Sequence, residues 1–207
     1  MTARISKLAV NLKEPGIVPL FLHFLYKESI ITQCQMDHTD PKASVVTIAT
    51  SMYFAPSDCS GTIRYTKELI YATTSYRKKF PYYDTIFVRT ELAPGPHGLS
   101  VAQLHVLFSF TIKGVCHEVA LVKWFSYVGN SPDEDTGMWV VQREKRQDGS
   151  PFMDFIFIDT ILRSCHLLPM YREVTILSNV THVTSLTNFK IFYVNKFADH
   201  HSFELLL

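Results

Sequence analysis

The residue types best suited to chemistry gather at the C-terminus, where Asp199-His200-His201 is followed by Glu204. Imidazoles and carboxylates are common ligands of a catalytic zinc, which takes three protein ligands and keeps one position open. On a continuing strand His200 and His201 point to opposite faces, whereas a helical turn brings His200 and Glu204 together at i, i+4. Either way only two of these residues converge. A third ligand would have to come from His97, His105, His166 or His182. The polar margin of a last strand is the simpler expectation, and a metal-dependent hydrolase or nuclease using His200, His201 and Glu204 is the alternative.

A second cluster stands in "YVGNSPDEDTGMW", where Asp133, Glu134 and Asp135 follow one another between turn residues. Calcium loops alternate their ligands around a glycine, a spacing this run lacks, so a solvated acidic loop is expected. Its functional counterpart is a surface for a basic peptide such as a histone tail. Trp124, Tyr127 and Trp139 flank the carboxylates, and an aromatic face beside negative charge suits a Lys, Arg or methyl-lysine head. The competing expectation places both tryptophans in the core.

Other chemistries are not spelled out. There is no G-x-S-x-G elbow, and Cys116-His117, adjacent on a strand, point to opposite faces. Neither G-x-x-x-x-G-K-[ST] nor G-x-G-x-x-G occurs, so no nucleotide cofactor is implied and the chain reads as a non-enzyme. Cys34, Cys59, Cys116 and Cys165 form no C-x-x-C pair and are expected to be small buried residues of a reducing compartment. Asn179-Val180-Thr181 fits a glycosylation sequon, read as chance for want of an export signal. A formal charge of +1 advertises no nucleic-acid or membrane partner through a global field. The basic run Arg77-Lys78-Lys79 is expected to be a solvated loop. "GIVPLFLHFLY" is too short to span a bilayer.

The elements that must hold these residues are mostly strands. From Val45 onward, short segments rich in Val, Ile, Thr, Tyr and Phe alternate with turn clusters such as "APGPHG" and "KRQDGSP". In "LHVLFSFTI" the alternation puts Leu104, Val106, Phe108, Phe110 and Ile112 on one face. Lys113-Gly114 then turns the chain into "EVALVKWFSYV", an antiparallel hairpin. "GMWVVQRE" and "FMDFIFID" are expected to pair with each other, and "LTNFKIFYVNKF" to form a late strand. "SGTIRYTKELIYATTSYR" and "DTILRSCHLL" each suit a short helix or turn. Phe108, Phe110, Leu121, Trp124, Trp139, Phe155, Phe157, Ile161, Phe192 and Val194 are the expected core. With 207 residues, 47% of them hydrophobic, the chain can bury one sizeable core. Residues 1–44 read as an N-terminal extension with one helix, and residues 45–207 as a mainly-β barrel domain with short helical insertions.

The blocks "MYFAPSD", "YYDTIFV", "ALVKWFSYVGNSPDEDTGMWVV", "FIDTILRSCHLLPMY" and "FYVNKFADHHSFEL", in that order, resemble the C-terminal region of uncharacterised proteins encoded by Plavaka-type and related cut-and-paste transposons of basidiomycete fungi. The resemblance runs from about Val45 to the end. It implies a domain detached from a transposase core, or a degenerate fragment. The series "VAQLHVLFSFTIKGVCHEVALVKWFSYV", "FIDTILRSCHLL" and "FYVNKFAD" is similar to bromo-adjacent homology (BAH) domains. Gln103 stands where those carry an arginine, and Ser126-Tyr127-Val128 where Tyr-Arg-Pro is common. This second resemblance implies a BAH-like β-barrel, a chromatin protein as partner and an intracellular, nuclear location.

Overall fold

The computed structural model describes residues 2–55, 64–90, 96–171, 181 and 184–207. Strand β1 (Thr2–Arg4) leads into helices α1 (Ile5–Leu12) and α2 (Ile17–Lys27). Strands β2 (Lys42–Val46), β3 (Ile48–Phe54), β4 (Tyr65–Tyr76), β5 (Phe80–Tyr83) and β6 (Thr85–Arg89) follow. Next come β7 (Leu99–Ile112), β8 (Val115–Tyr127), β9 (Val140–Arg143), β10 (Met153–Phe157), β11 (Ile161–Ser164) and β12 (Leu167–Pro169). The chain closes with α3 (Ser185–Asn188), β13 (Ile191–Val194) and α4 (His200–Leu205).

The fold is mainly β, a curled, open sheet with small helical insertions. Its spine is the expected hairpin of β7 and β8, turned at Lys113 and Gly114, both at positive φ as a two-residue hairpin loop requires. Each spine strand serves two neighbours in succession. β7 pairs with β6 along its first half and with β2 along its second; β8 pairs with β10 through Lys123 and with β9 from Phe125. The sheet is thus drawn to a waist at Gln103–His105 and Lys123.

A β-bulge marks that waist. Leu104 pairs with Val122 and Val106 with Leu121, leaving His105 as the extra residue. The expected single face of β7 is corrected here, because one inserted residue flips every side chain beyond it. Leu104 joins Leu107 in the cluster with Ala120 and Val122, while Val106, Phe108 and Phe110 join Leu121 and Phe155.

The latter group is covered by α1 and α2. Ile17, Phe21, Phe24 and Leu25 line one helix face at i, i+4, i+7 and i+8. Pro19 sits in the first turn, where its missing N–H costs no intrahelical bond. Phe21 meets Phe110 and Phe155 edge-on, with ring centroids 5.1 and 5.3 Å apart. The expected boundary at 44/45 falls inside β2, and β1 pairs with β2. The opposite face at the waist is covered by Ile70 and Ala72, on the inner face of the three-stranded ribbon β3–β4–β5.

Several expectations are corrected. The described part of "SGTIRYTKELIYATTSYR" is the 12-residue strand β4 instead of a short helix, whereas "DTILRSCHLL" does hold a short 3-10 turn as expected, followed by β11 and the start of β12. β9 and β10 both hydrogen-bond to β8, and the two expected segments meet beyond those strands, where Phe152 N–H donates to Glu144 O at 2.9 Å beside the bridge Lys145–Pro151. "LTNFKIFYVNKF" splits into the end of α3 and the four residues of β13. Trp124, Trp139 and Phe157 are half-buried, whereas the other expected core residues are buried. Cys34 and Cys116 are exposed and only Cys165 is buried among the described cysteines. Cys59, the sequon at Asn179 and His182 lie outside the described residues.

Candidate functional site

The polar strand end expected at the C-terminus is instead α4. Asp199 caps it, its carboxylate accepting from the Ser202 backbone N–H at 2.8 Å. The same carboxylate takes both arms of buried Arg163, at 2.9 and 2.6 Å. Arg163 Nη1 also lies 3.1 Å from His201 Nδ1, and its guanidinium sits 4.5 Å over the Tyr53 ring, on which the His201 ring stacks. A guanidinium only donates, so His201 Nδ1 must accept and the imidazole is neutral. Burial, then Arg163, push the His201 pKa down. Burial raises the Asp199 pKa, but the bonds from Arg163 outweigh it and bring it to about 2. His200 is exposed beyond this cluster. Among the described residues no group of three or more His, Cys, Asp or Glu is placed to hold a metal ion. The lone pair His201 would lend to a metal at Nδ1 is turned to arginine.

In the acidic loop, Asp133 Oδ1 accepts from the Thr136 backbone N–H at 3.0 Å and from its hydroxyl at 2.8 Å, a local turn. Glu134 and Asp135 are exposed. The flanking aromatics are not brought together. Tyr127 and Trp139 pack edge-on at 5.4 Å against the second core cluster, and the Tyr127 hydroxyl donates to Leu99 O at 3.2 Å. Trp124 belongs to the opposite face of β8, with Ala120 and Val122.

Two other places gather polar or uncovered side chains. The first is a cleft of about 590 Å³ at the waist, lined by Tyr82, Asp84, Gln103, His105 and Lys123 and closed by the start of α3. Burial pushes the Asp84 carboxyl up to about 6, against hydrogen bonds from the Tyr71 backbone and the Tyr82 hydroxyl that pull it down. Burial, then Lys123, bring the His105 imidazole down to about 4. His105 Nε2 is buried without a hydrogen-bond partner, and its ring lies 5.9 Å from that of Tyr83.

The second is the outer face of the ribbon. Cross-strand pairs Phe54–Tyr65, Met52–Lys67, Thr50–Leu69 and Ile48–Tyr71 stand on it in sequence. Met52 is 67%, Tyr65 56% and Leu69 47% exposed. Towards the β4–β5 turn, Tyr76 packs against Tyr71 and Tyr82, at 5.2 and 4.9 Å. The turn presents Arg77, Lys78 and Lys79, with Arg77 and Lys78 both at positive φ, where a hairpin favours Asn or Gly. The guanidinium of Arg77 lies 5.2 Å over Tyr76. Of the ribbon's described acids, Glu68 is bound to the backbone and hydroxyl of Ser164, and Asp84 accepts from Tyr71 N at 2.7 Å. Exposed charge on the described ribbon is therefore basic: Arg64, Lys67 and the turn.

Comparisons with protein-family models, with curated proteins and with solved structures return no match. No motif marks Lys123, although it is the one charge in the run "VALVKWF". Nor does one mark Arg163, a charge among the apolar residues of "TILRSC". The ribbon face carries no such signal, because apolar residues stand on both faces of β4.

Proposed function

We propose that this chain is a non-catalytic interaction module whose ribbon face binds single-stranded nucleic acid. One observation carries the reading: aromatic and basic side chains are interleaved along a β surface that no other described element covers and whose described acids are already bonded. Bases stack on aromatic rings whatever their sequence, and Lys and Arg follow the phosphates. β4 alone, with 12 residues, spans roughly 40 Å at about 3.3 Å per residue. Uncovered aliphatics such as Met52 and Leu69 add contact area that a monomer gains nothing by exposing.

Fluorescence anisotropy with a labelled oligothymidylate of about 15 nucleotides tests this. Saturable binding that weakens with salt, and is lost in Lys67→Glu/Arg77→Glu, is expected. Absence of binding, or preference for an acidic peptide over the oligonucleotide, contradicts it.

A second reading, a basic peptide held by the loop at residues 127–139, is supported by the exposed Glu134 and Asp135. Equal binding of such a peptide by wild type and Asp133/Glu134/Asp135→Ala ends it. The block resemblance supports an origin in a fungal transposon, a BAH-like ancestry for the curled sheet and a nuclear location. All three belong to the proposal, and the ribbon reading does not depend on them. No helix among the described residues is long and apolar enough to cross a membrane.

A further inference from the structure

The waist interrupts an otherwise apolar sheet face. On β8, Val119 and Leu121 belong to one core cluster and Phe125 to another, and Lys123 falls between them on the same face. Its cross-strand partner is Gln103. Arg143, opposite Phe125 and 5.2 Å over its ring, reaches back so that Nη1 and Nη2 both donate to Gln103 Oε1 at 3.2 Å. Its Nε bonds the Leu186 carbonyl of α3 at 3.0 Å.

Lys123 and Arg143 are half-buried cations, and neither forms an ion pair among the described residues. The Glu14 carboxylate pulls on Lys123 from beyond ion-pair distance while Arg143 pushes against it, so the two half-buried cations are incompletely compensated and an oxyanion between them would be favoured. The donor count agrees. Because Gln103 Oε1 is occupied by Arg143, its amide N–H groups are left to donate, beside the Lys123 ammonium. Directly paired strand residues hold their Cβ atoms about 4.5–5.5 Å apart, so both side chains can reach one oxyanion. The cleft's carboxylate, Asp84, is engaged by the Tyr71 backbone. Burial, followed by the pull of Glu14 and the push of Arg143, leaves the Lys123 pKa lowered.

We propose that the waist cleft binds the oxyanion group of a small molecule, a carboxylate or a phosphate, between the Lys123 ammonium and the Gln103 amide, with Arg143 holding that amide in place. The cleft shares Tyr82 with the ribbon, but its anion-binding groups, Lys123, Gln103 and Arg143, stand on the large sheet, so the proposal does not depend on the nucleic-acid reading. Its volume, about 590 Å³, is within the ~300–1,000 Å³ of ordinary small-molecule sites.

Inorganic phosphate and benzoate, titrated separately into the 15N-labelled protein, provide the test and distinguish the two anion chemistries. Saturable shifts of the Gln103, His105 and Lys123 amides with at least one probe are expected, with affinity at least tenfold weaker in Lys123→Met and unchanged in Lys7→Met, a change on the exposed face of α1. Without ligand, Lys123→Met should melt at or above the wild-type temperature, since it removes an unpaired charge and keeps the apolar stem. Either of two results overturns the proposal: neither probe shifts these amides, or Lys123→Met binds as the wild type does.

Discussion

Two β surfaces of this molecule carry apolar side chains at alternate positions and meet opposite fates. On the second half of the spine hairpin, Phe108 and Phe110 lie beneath α2, whose Phe21 is 1% exposed. On the ribbon, Met52, Phe54, Tyr65 and Leu69 face outward with no element of the described chain above them. The difference teaches that alternation reports which residues share a face, while the cover has to be found elsewhere in the chain. The first surface is covered by residues 17–25, far away in sequence. The second combines its apolar side chains with Lys67 and the basic turn, as a surface that meets a charged partner in water would.

The largest expected effect contrasts the two surfaces directly. Phe21→Ala should cost about 3–5 kcal/mol, from lost burial plus the cavity left among Phe108, Phe110 and Phe155. Met52→Ala on the ribbon should change stability by no more than about 0.5 kcal/mol. Urea denaturation of both variants measures the contrast, and comparable losses would mean that the ribbon face is covered.

A smaller effect belongs to the ribbon's inner side, where Tyr53 carries Arg163. Arg163→Ala removes the bidentate partner of Asp199 and the cation over Tyr53. Asp199 remains 43% exposed and can recover water, so a loss of about 1–2 kcal/mol is expected rather than the larger penalty of a fully buried orphan. The folded Asp199 pKa lies below its unfolded value. The stability linked to it is present above about pH 4 and is lost as pH falls towards 2. Arg163→Ala should flatten that acid limb of the melting profile.

Smaller still are two opposed slopes at the waist. The folded Asp84 pKa, about 6, is raised, so its linked stability is full below about pH 4 and is lost as pH rises through 6. The folded His105 pKa, about 4, is depressed, so its linked stability is present above about pH 6.5 and is lost as pH falls through 4. Asp84→Asn and His105→Gln should therefore tilt the melting temperature between about pH 4 and 6 in opposite directions. Leu69→Ala, on the outer face, should leave the profile's shape unchanged.

What was legible in the sequence follows from how local its causes are. The spine hairpin could be read because alternation and Lys113-Gly114 both act within a few residues. The bulge at His105 could not, because period-2 patterning carries no mark of an inserted residue, and the whole waist depends on it. β4 was obscured by apolar residues on both faces, Ile70 and Ala72 inward and Tyr65 and Leu69 outward, which leaves no alternation to see. α4 was hidden because the capping role of Asp199 looks the same in sequence as a ligand role. Of the C-terminal residues, His201 and Asp199 do meet, but around an arginine 36 residues from Asp199 that no motif joins to them.

We propose that the ribbon's outer face, which no other described element covers, is a binding surface. Ultraviolet cross-linking of the full chain to an oligonucleotide carrying 4-thiothymidine, followed by peptide mapping, tests it most directly. Cross-links concentrated at Phe54, Tyr65, Tyr76 and Tyr82, and abolished by Lys67→Glu/Arg77→Glu, are the predicted result. Cross-links spread over the α1–α2 surface or the acidic loop, or none above a bovine albumin control, would contradict it.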